Sequence, residues 1–216
     1  MDTTRFGESE KSPATSGNQQ ERPNPYISVI SNVLENGVPI GSLGDGEAIW
    51  HTDMSNRQVP PSASILYALE VPARGGETGF LNMYHALDTL PPEIRAHIER
   101  LTIRHDGGHN SSGLKRRVVL SASHPIVRTH PETKRNPLYL GRRLNATVDG
   151  LPGDESDALL DALWAHATRP QFAWHHQWRA GDLLMWDNRC CIHHRNAFDP
   201  DARRVMHRTQ IVGARP

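Results

Sequence analysis

His51 and Asp53 stand two positions apart in a short apolar stretch, where their side chains could bind one metal ion. If this stretch is a β-strand, residues two apart point to the same side, so both side chains face one point while Thr52 faces away. An imidazole nitrogen and a carboxylate oxygen are two of the three ligands in the two-histidine, one-carboxylate facial triad of non-haem iron sites. The triplet alone is not specific, because the chain contains 13 histidines.

A third ligand is expected from a segment that ends in two adjacent histidines. A Gly-Asp turn, an apolar strand and a polar Asp-Asn break precede a second predicted strand that ends at His193. His194 is the competing candidate, and on a strand it would point in the opposite direction. The pattern of residues alone leaves both histidines open.

Several arginines occur close together near the end of the chain. In an extended strand Arg204, Met206 and Arg208 share one face, while Arg203 and His207 share the other. Two arginines that point into a protein are costly unless they are paired, and a dicarboxylate ligand would supply the pairing. The alternative is a solvated basic edge strand, which proteins use to protect sheet edges.

The remaining sequence predicts one mainly β domain, over residues 26–216, behind a polar and disordered arm at residues 1–25. Helices are expected at only two places, one beginning near Thr89 and one capped by Ser156. A long polar loop at residues 105–117 is typical either of a lid or of disorder. Short strands are predicted at residues 26–33, 64–71, 126–129, 138–140, 172–178, 183–186, 190–193 and 205–212. Many short strands with few helices indicate a β-sandwich or jelly roll.

The composition restricts the partners and the location. Basic and acidic residues number 24 each, so there is no basic excess of the kind that binds nucleic acid or an anionic membrane. The N-terminus has no apolar core of a secretory signal. Cys190 and Cys191 are adjacent, which is a poor arrangement for a structural disulfide, so we expect free thiols and a cytoplasmic location. Assembly into a homo-oligomer is left open.

Four sequence blocks, in order and spacing, resemble the taurine dioxygenase (TauD/TfdA) family of Fe(II)- and 2-oxoglutarate-dependent dioxygenases. They are W-H-T-D ending at Asp53, G-G-E-T ending at Thr78, W-D-N-R ending at Arg189 and followed by His193, and R-R-V-M-H-R ending at Arg208. The resemblance covers roughly residues 26–213. It implies a double-stranded β-helix, which is a jelly roll.

The resemblance also implies the metal ligands. His51, Asp53 and His193 would bind Fe(II), because the distal histidine of the family lies four residues after the arginine of the W-D-N-R block, which selects His193 over His194. Halogenating relatives lack the carboxylate ligand. The presence of Asp53 therefore implies hydroxylation, or a related desaturation or cyclisation.

Four further residues receive roles from the same resemblance. Thr78 would hydrogen-bond a carboxylate of 2-oxoglutarate, and Arg204 would form its main salt bridge. Arg208 would lie near the active site, where it would either meet an acidic group of the substrate or help to hold the co-substrate. Asn56 stands where relatives often place an aromatic residue near the substrate, so the substrate itself is not identified.

The reaction that the resemblance implies couples oxidation of an aliphatic C–H bond of a small-molecule organic substrate to conversion of 2-oxoglutarate and O2 into succinate and CO2. Two alternatives remain at this point. One is a metal-dependent hydrolase or isomerase on a jelly roll that uses the same three ligands. The other is an N-terminally truncated, weakly active or non-catalytic homologue that still binds metal and 2-oxoglutarate, since relatives usually carry a longer N-terminal region.

Overall fold

A computed structural model describes residues 4–12, 24–113, 115 and 119–216, and strands predominate in it. The strands are β1 (Ser28–Ser31), β2 (Leu34–Glu35), β3 (Val38–Pro39), β4 (Ser42–Leu43), β5 (Ala48–His51), β6 (Ala63–Glu70), β7 (Thr78–Asn82), β8 (Thr102–Asp106), β9 (Ser121–Pro125), β10 (Thr147–Val148), β11 (Ala173–His176), β12 (Leu183–Asp187), β13 (Cys191–Arg195) and β14 (Val205–Ile211). The helices are α1 (Met83–Asp88), α2 (Pro92–Ile98) and α3 (Gly153–Ala167), with short 3-10 turns at Thr4–Phe6 and Pro170–Phe172.

Two sheets form the body of the domain. One has the strand order β12-β6-β14-β1-β4 and the other has the order β11-β7-β13-β5. Phe80 of the second sheet packs with Leu66, Trp186 and Met206 of the first sheet, so the two inner faces share one apolar cluster. This arrangement is the predicted jelly roll, and the fold prediction is confirmed.

The helices cover the outer face of the four-stranded sheet. Side chains alternate along its strands, so Leu81 and Ile192 point outward into the largest apolar cluster, whereas Phe80 and His193 point inward. Leu163 of α3 and Leu87 of α1 belong to that outer cluster. The helical layer therefore supports the strands whose inner face carries His193.

The predicted elements differ from the observed ones in several places. Helix α1 was not predicted; it begins after Asn82, whose side chain accepts a hydrogen bond from the backbone N–H of His85. Ser156 does not cap α3, which begins at Gly153; its hydroxyl instead accepts a hydrogen bond from the backbone N–H of Val148. The predicted strands at 126–129 and 138–140 are reduced to one bridge between Val127 and Leu138.

The predicted loop at 105–117 begins as a strand, because residues 105 and 106 belong to β8. Positions 114 and 116–118 lie outside the described residues.

Residues 4–12 belong to the predicted N-terminal arm, and they are paired with the last strand of the domain. Ser9 forms an isolated antiparallel bridge with Ile211 at the end of β14. Positions 1–3 and 13–23 of the arm lie outside the described residues, so its boundary with the domain stays a prediction. In the part of the chain that the structure describes, no helix is long and apolar enough to cross a membrane.

Candidate active site

Strand pairing brings two of the predicted metal ligands together. His51 is the last residue of β5 and His193 is the third residue of β13, and the two strands are antiparallel with His51 and His193 in direct register. Their ring centroids lie 4.2 Å apart. The backbone of the sheet therefore fixes the distance between the two imidazoles.

Asp53 completes the cluster from the turn that follows β5. Its Oδ1 lies 3.6 Å from Nε2 of His51 and its Oδ2 lies 3.9 Å from Nε2 of His193. One ligand atom from each of the three residues lies within 4.8 Å of the others, and all three side chains are buried. Two nitrogens and one carboxylate oxygen in this arrangement form a set that suits non-haem iron.

The hydrogen bonds of the histidines leave lone pairs for a metal. Nδ1 of His51 lies 2.7 Å from the carbonyl oxygen of Ile49, which can only accept, so Nδ1 carries the proton and Nε2 has a free lone pair. Burial and the neighbouring His51 lower the pKa of His193 to about 3, so this imidazole is neutral at ordinary pH. Neutral imidazoles are the form that binds a metal ion.

Three other side chains hold Asp53 in place. Ser64 and Gln210 both donate hydrogen bonds to Oδ2 of Asp53, at 2.7 and 3.2 Å. Asn188 binds its backbone from both sides, accepting from the N–H at 2.9 Å and donating to the carbonyl at 3.0 Å. These hydrogen bonds fix the carboxylate relative to the two histidines, and the three residues that make them were not predicted from the sequence.

The charge of Asp53 is balanced by an arginine. Nη1 of Arg208 lies 3.3 Å from Oδ1 of Asp53. Burial alone would raise the pKa of Asp53, but Arg208, His193 and His51 overcome that effect and hold the pKa well below its usual range. Asp53 is therefore an ionised carboxylate, which is the form that binds a metal.

A cavity of about 450 Å³, which includes solvent at its opening, lies between the two sheets beside this cluster. Its lining includes His51, His193, Thr78, Arg204 and Arg208, together with apolar side chains of the five-stranded sheet, namely Ile30, Leu43, Leu66 and Trp186. The structure thus brings five of the predicted site residues to one cavity. Asp53 contacts the two histidines but is not itself a lining residue, and Asn56 does not line the cavity.

Arg204 is the most deeply buried charged residue on the cavity wall, with 1% of its surface exposed. It lies just before β14, where its backbone N–H donates to Asn32. Burial, and then repulsion from Arg195, lower the pKa of Arg204 to about 9. Its guanidinium has neither a carboxylate partner nor a hydrogen bond in the described residues, and its Nε is buried without a partner. Gly76 leaves room for this side chain, since a Cβ there would lie 3.3 Å from Nε of Arg204.

Arg195 is a second buried arginine that sequence reasoning missed. It follows His193 by two positions on the same strand and donates to the carbonyl oxygens of Leu43, Gly44 and Gly46. It thereby fixes the glycine-rich segment that contributes Leu43 to the cavity. Its spacing from His193 was a usable signal, because residues two apart on a strand share one face.

His194 lies away from the cluster of His51, Asp53 and His193. Its ring stacks on Trp50 at 3.8 Å between centroids, and its Nε2 lies 3.0 Å from Nε2 of His175. Gly79 makes this packing possible, because a Cβ there would lie 2.4 Å from the ring of His194. His193 is thus the histidine that meets His51 and Asp53.

Asn56 is buried and does not line the cavity; its amide nitrogen lies 3.5 Å from the carbonyl oxygen of Leu120. Gly107 packs against it closely enough that a Cβ would collide with the amide. The role in substrate binding expected for Asn56 stays a prediction.

A second group of potential ligands, formed by His130, Asp187 and Cys190, has a structural explanation. Nδ1 of His130 accepts hydrogen bonds from the backbone N–H groups of residues 132 and 133, so Nε2 carries the proton and donates to Asp187 at 2.9 Å. Asp187 also pairs with Arg189 at 2.6 Å. The lone pair that a metal would need at Nε2 of His130 is therefore absent.

Comparison with known proteins identifies the family. Residues 2–210 match the model of the taurine catabolism dioxygenase TauD, TfdA family. Pentalenolactone F synthase from Streptomyces arenae is 37% identical over 222 residues, which cover 94% of this chain and 73% of the relative. The alpha-ketoglutarate-dependent 2,4-dichlorophenoxyacetate dioxygenase of Cupriavidus pinatubonensis is 37% identical over 172 residues, which cover 76% of this chain and 60% of the relative.

A solved structure gives the same result. The crystal structure of a taurine dioxygenase from Burkholderia xenovorans superposes with a TM-score of 0.78 at 32% identity, covering 98% of this chain and 70% of that one. The chain thus spans only part of the length of its relatives. It belongs to the TauD/TfdA family of dioxygenases, which use Fe(II), 2-oxoglutarate and O2.

Proposed function

We propose that this chain oxidises an aliphatic C–H bond of a small organic substrate, with His51, Asp53 and His193 as the ligands of Fe(II). One oxygen atom of O2 would enter the substrate as a hydroxyl group, and the other would enter succinate as 2-oxoglutarate loses CO2. The iron supplies the oxidising chemistry when bound. The three side chains would hold the metal, and the other residues of the cavity would position the co-substrate and the substrate beside it.

The observation that carries this proposal is the unpaired, buried guanidinium of Arg204 in the cavity that His51 and His193 also line. A buried charge without a counter-ion is costly, so the site is complete only with an anion bound. A dicarboxylate can reach Arg204 with one carboxylate while the other end of the molecule meets the metal. A hydrolase or isomerase with the same ligands would not need this second anion site, so the geometry favours the dioxygenase over that alternative.

The proposal places Thr78 beside Arg204 as a second donor to the same carboxylate. Thr78 is buried at the start of β7 and lines the same cavity. A planar guanidinium and a hydroxyl both donate hydrogen bonds to a carboxylate, which only accepts.

Arg208 is proposed to act on the substrate side of the metal. One of its N–H groups is directed to Asp53, and a guanidinium has five N–H donors. The remaining donors could bind an acidic group, so a small organic acid is the proposed substrate class. The 2,4-dichlorophenoxyacetate named for one relative is such an acid. The cytoplasmic location and the oligomeric state stay predictions.

Anaerobic titration of the Fe(II) protein with 2-oxoglutarate tests the proposal. We expect a saturable charge-transfer band in the visible range, followed by one succinate per 2-oxoglutarate when O2 and a suitable acid are added. His51→Ala is the matched control and should give neither signal. If the wild-type protein shows no 2-oxoglutarate-dependent band and releases no succinate with a panel of organic acids, the proposed function is wrong.

A further inference from the structure

We infer that Trp178 is a positioning residue for 2-oxoglutarate, because its indole N–H makes the hydroxyl of Thr78 a hydrogen-bond donor toward the cavity. The inference rests on the proposed function and adds Trp178, which lies outside the four sequence blocks that resemble the family. Nε1 of Trp178 lies 2.9 Å from Oγ1 of Thr78. Trp178 belongs to the loop between β11 and β12, 100 positions along the chain from Thr78.

The direction of this hydrogen bond is fixed by chemistry. An indole nitrogen only donates, so the oxygen of Thr78 must accept. The hydroxyl then keeps one proton of its own to donate. Within the described residues no acceptor receives that proton, and Thr78 lines the cavity. The proton is therefore available to a group bound in the cavity.

The polarity of the bond determines what the site can recognise. A threonine hydroxyl without the indole could rotate and accept a hydrogen bond from a bound ligand. With the indole bonded to its oxygen, Thr78 presents a donor, as Arg204 does on the same cavity wall. A site that offers two donors and no acceptor favours a carboxylate ligand. The hydrogen bond that Thr78 accepts from Trp178 also strengthens the one that Thr78 can donate, because linked hydrogen bonds polarise one another.

A small network holds the indole in this position. The ring of His176 packs against the ring of Trp178 at right angles, with centroids 4.6 Å apart. Nε2 of His176 lies 3.0 Å from Oδ2 of Asp182, which also accepts from the backbone N–H of Arg179 at 2.8 Å. Asp182 thus holds the loop between β11 and β12 through hydrogen bonds to His176 and Arg179. In this conformation the indole N–H of Trp178 is directed toward Thr78.

The test uses Trp178→Phe, which removes the N–H and keeps an aromatic ring. The measurement is the dissociation constant of 2-oxoglutarate for the anaerobic Fe(II) protein, from the charge-transfer band. We expect Trp178→Phe to weaken binding by about three- to tenfold, since one hydrogen bond to a charged group is reoriented. At saturating 2-oxoglutarate, kcat should stay near the wild-type value, because Trp178 is not one of the residues that line the cavity.

A double-mutant cycle separates positioning from general packing. Thr78→Val should weaken binding by about tenfold or more, and adding Trp178→Phe to it should cause little further loss. In Thr78→Ser, which keeps a hydroxyl, the effect of Trp178→Phe should persist. Trp174→Phe is the matched control; Trp174 is 56% exposed and its indole N–H has no hydrogen bond to any described residue, so binding should be unchanged.

The outcomes distinguish the two hypotheses. If the wild-type protein gives no charge-transfer band with 2-oxoglutarate, the proposed function fails. If the wild-type protein binds 2-oxoglutarate and Trp178→Phe binds it equally well, only the role of Trp178 is wrong. If Trp178→Phe weakens binding by the same factor in the Thr78→Val background, Trp178 acts through packing, and the inference is also overturned. Thermal melts of each variant show whether the fold is retained.

Discussion

His51 and His193 lie directly opposite each other on the paired strands β5 and β13, with their rings 4.2 Å apart. Backbone hydrogen bonds between the strands therefore set the separation of the two imidazoles before any metal binds. Asp53 is held separately, by Asn188, Ser64 and Gln210. The ligand set is thus preorganised, and a metal that binds only the folded chain should stabilise it.

The pair of adjacent histidines gives a first prediction. His193→Ala should lose high-affinity Fe(II) binding, because His193 meets His51 and Asp53. His194→Ala should keep it, because that ring packs against Trp50 on the other face of the strand. Metal content after dialysis and the thermal shift on adding Fe(II) measure both variants. Retention of iron by His193→Ala together with its loss in His194→Ala would reverse the assignment.

The carboxylate ligand gives a second prediction. Asp53→Gly should abolish hydroxylation but leave a two-histidine iron site with a coordination position open to small anions. Added azide or chloride should then change the visible absorption of the Fe(II) or Fe(III) protein, while the wild type should respond weakly. His97→Gln, a change at an exposed position, is the control for effects of substitution that do not involve the site. Native-like hydroxylation by Asp53→Gly would remove Asp53 from the metal.

The position of Asp53 shows which part of the site the sequence predicts and which part it does not. The alternation rule correctly put His51 and Asp53 on one side, but Asp53 lies beyond the end of β5, in a turn where Met54 has a φ of 51°. That turn is held by Asn188, 135 positions away along the chain. No local pattern encodes such a contact, although the polar pair of residues 187 and 188 between two strands was visible.

The choice between His193 and His194 also depends on contacts between distant parts of the chain. Strand alternation predicted that the two rings point in opposite directions, which is what the structure shows. It could not say which direction is inward, because both faces of this sheet are covered, one by the facing sheet and one by helices. The spacing shared with the family selected His193, and the pairing of β13 with β5 and β7 places that residue opposite His51. Helix α1 was missed because six residues are too few to display a helical period.

Asn188 gives a prediction about stability. Its side chain is buried and makes hydrogen bonds to both backbone groups of Asp53 and to the carbonyl oxygen of Pro61. Asn188→Ala leaves those groups unsatisfied, so unfolding should become easier by about 2–3 kcal/mol and the melting temperature should fall by roughly 5–10 °C.

Asn136→Ala is the control for this change, because Asn136 is exposed. Calorimetry of the metal-free protein measures both variants. A melting temperature of Asn188→Ala within about 2 °C of the wild type would show that Asn188 does not hold the turn.

His105 gives a prediction about pH. Burial, and then the neighbouring His124 and Arg142, lower the pKa of His105 from 6.5 to about 3. Between these values the unfolded chain binds a proton that the folded chain does not, so stability rises with pH and is lost as pH falls below 6.5. At pH 5 the loss from this residue should be about 2 kcal/mol.

Urea unfolding at pH 7, 6 and 5 measures this effect. His105→Gln should flatten the dependence of unfolding free energy on pH, whatever it does to the stability at pH 7. His97→Gln should leave the dependence unchanged, since His97 is exposed. An unchanged slope in His105→Gln would mean that His105 titrates alike in the folded and unfolded states.

Arg204 gives the last prediction, on co-substrate affinity. Its guanidinium is buried, unpaired within the described residues, and in the cavity that His51 and His193 also line. Removing one partner of a buried charged pair typically costs on the order of 2–5 kcal/mol, and each 1.4 kcal/mol is about tenfold in affinity. Arg204→Ala should therefore weaken 2-oxoglutarate binding by roughly 30-fold or more.

Two variants make the test of Arg204 specific. Arg204→Lys should fall between wild type and Arg204→Ala, because lysine keeps the charge but replaces a planar fork with a point donor. Arg208→Ala should affect 2-oxoglutarate less and the coupling of succinate release to substrate oxidation more, because Arg208 faces Asp53. Anaerobic titration gives the affinities, and the ratio of succinate to oxidised substrate gives the coupling. If Arg204→Ala binds 2-oxoglutarate as tightly as the wild type, Arg204 does not bind the co-substrate, and the hydrolase or isomerase alternative regains support.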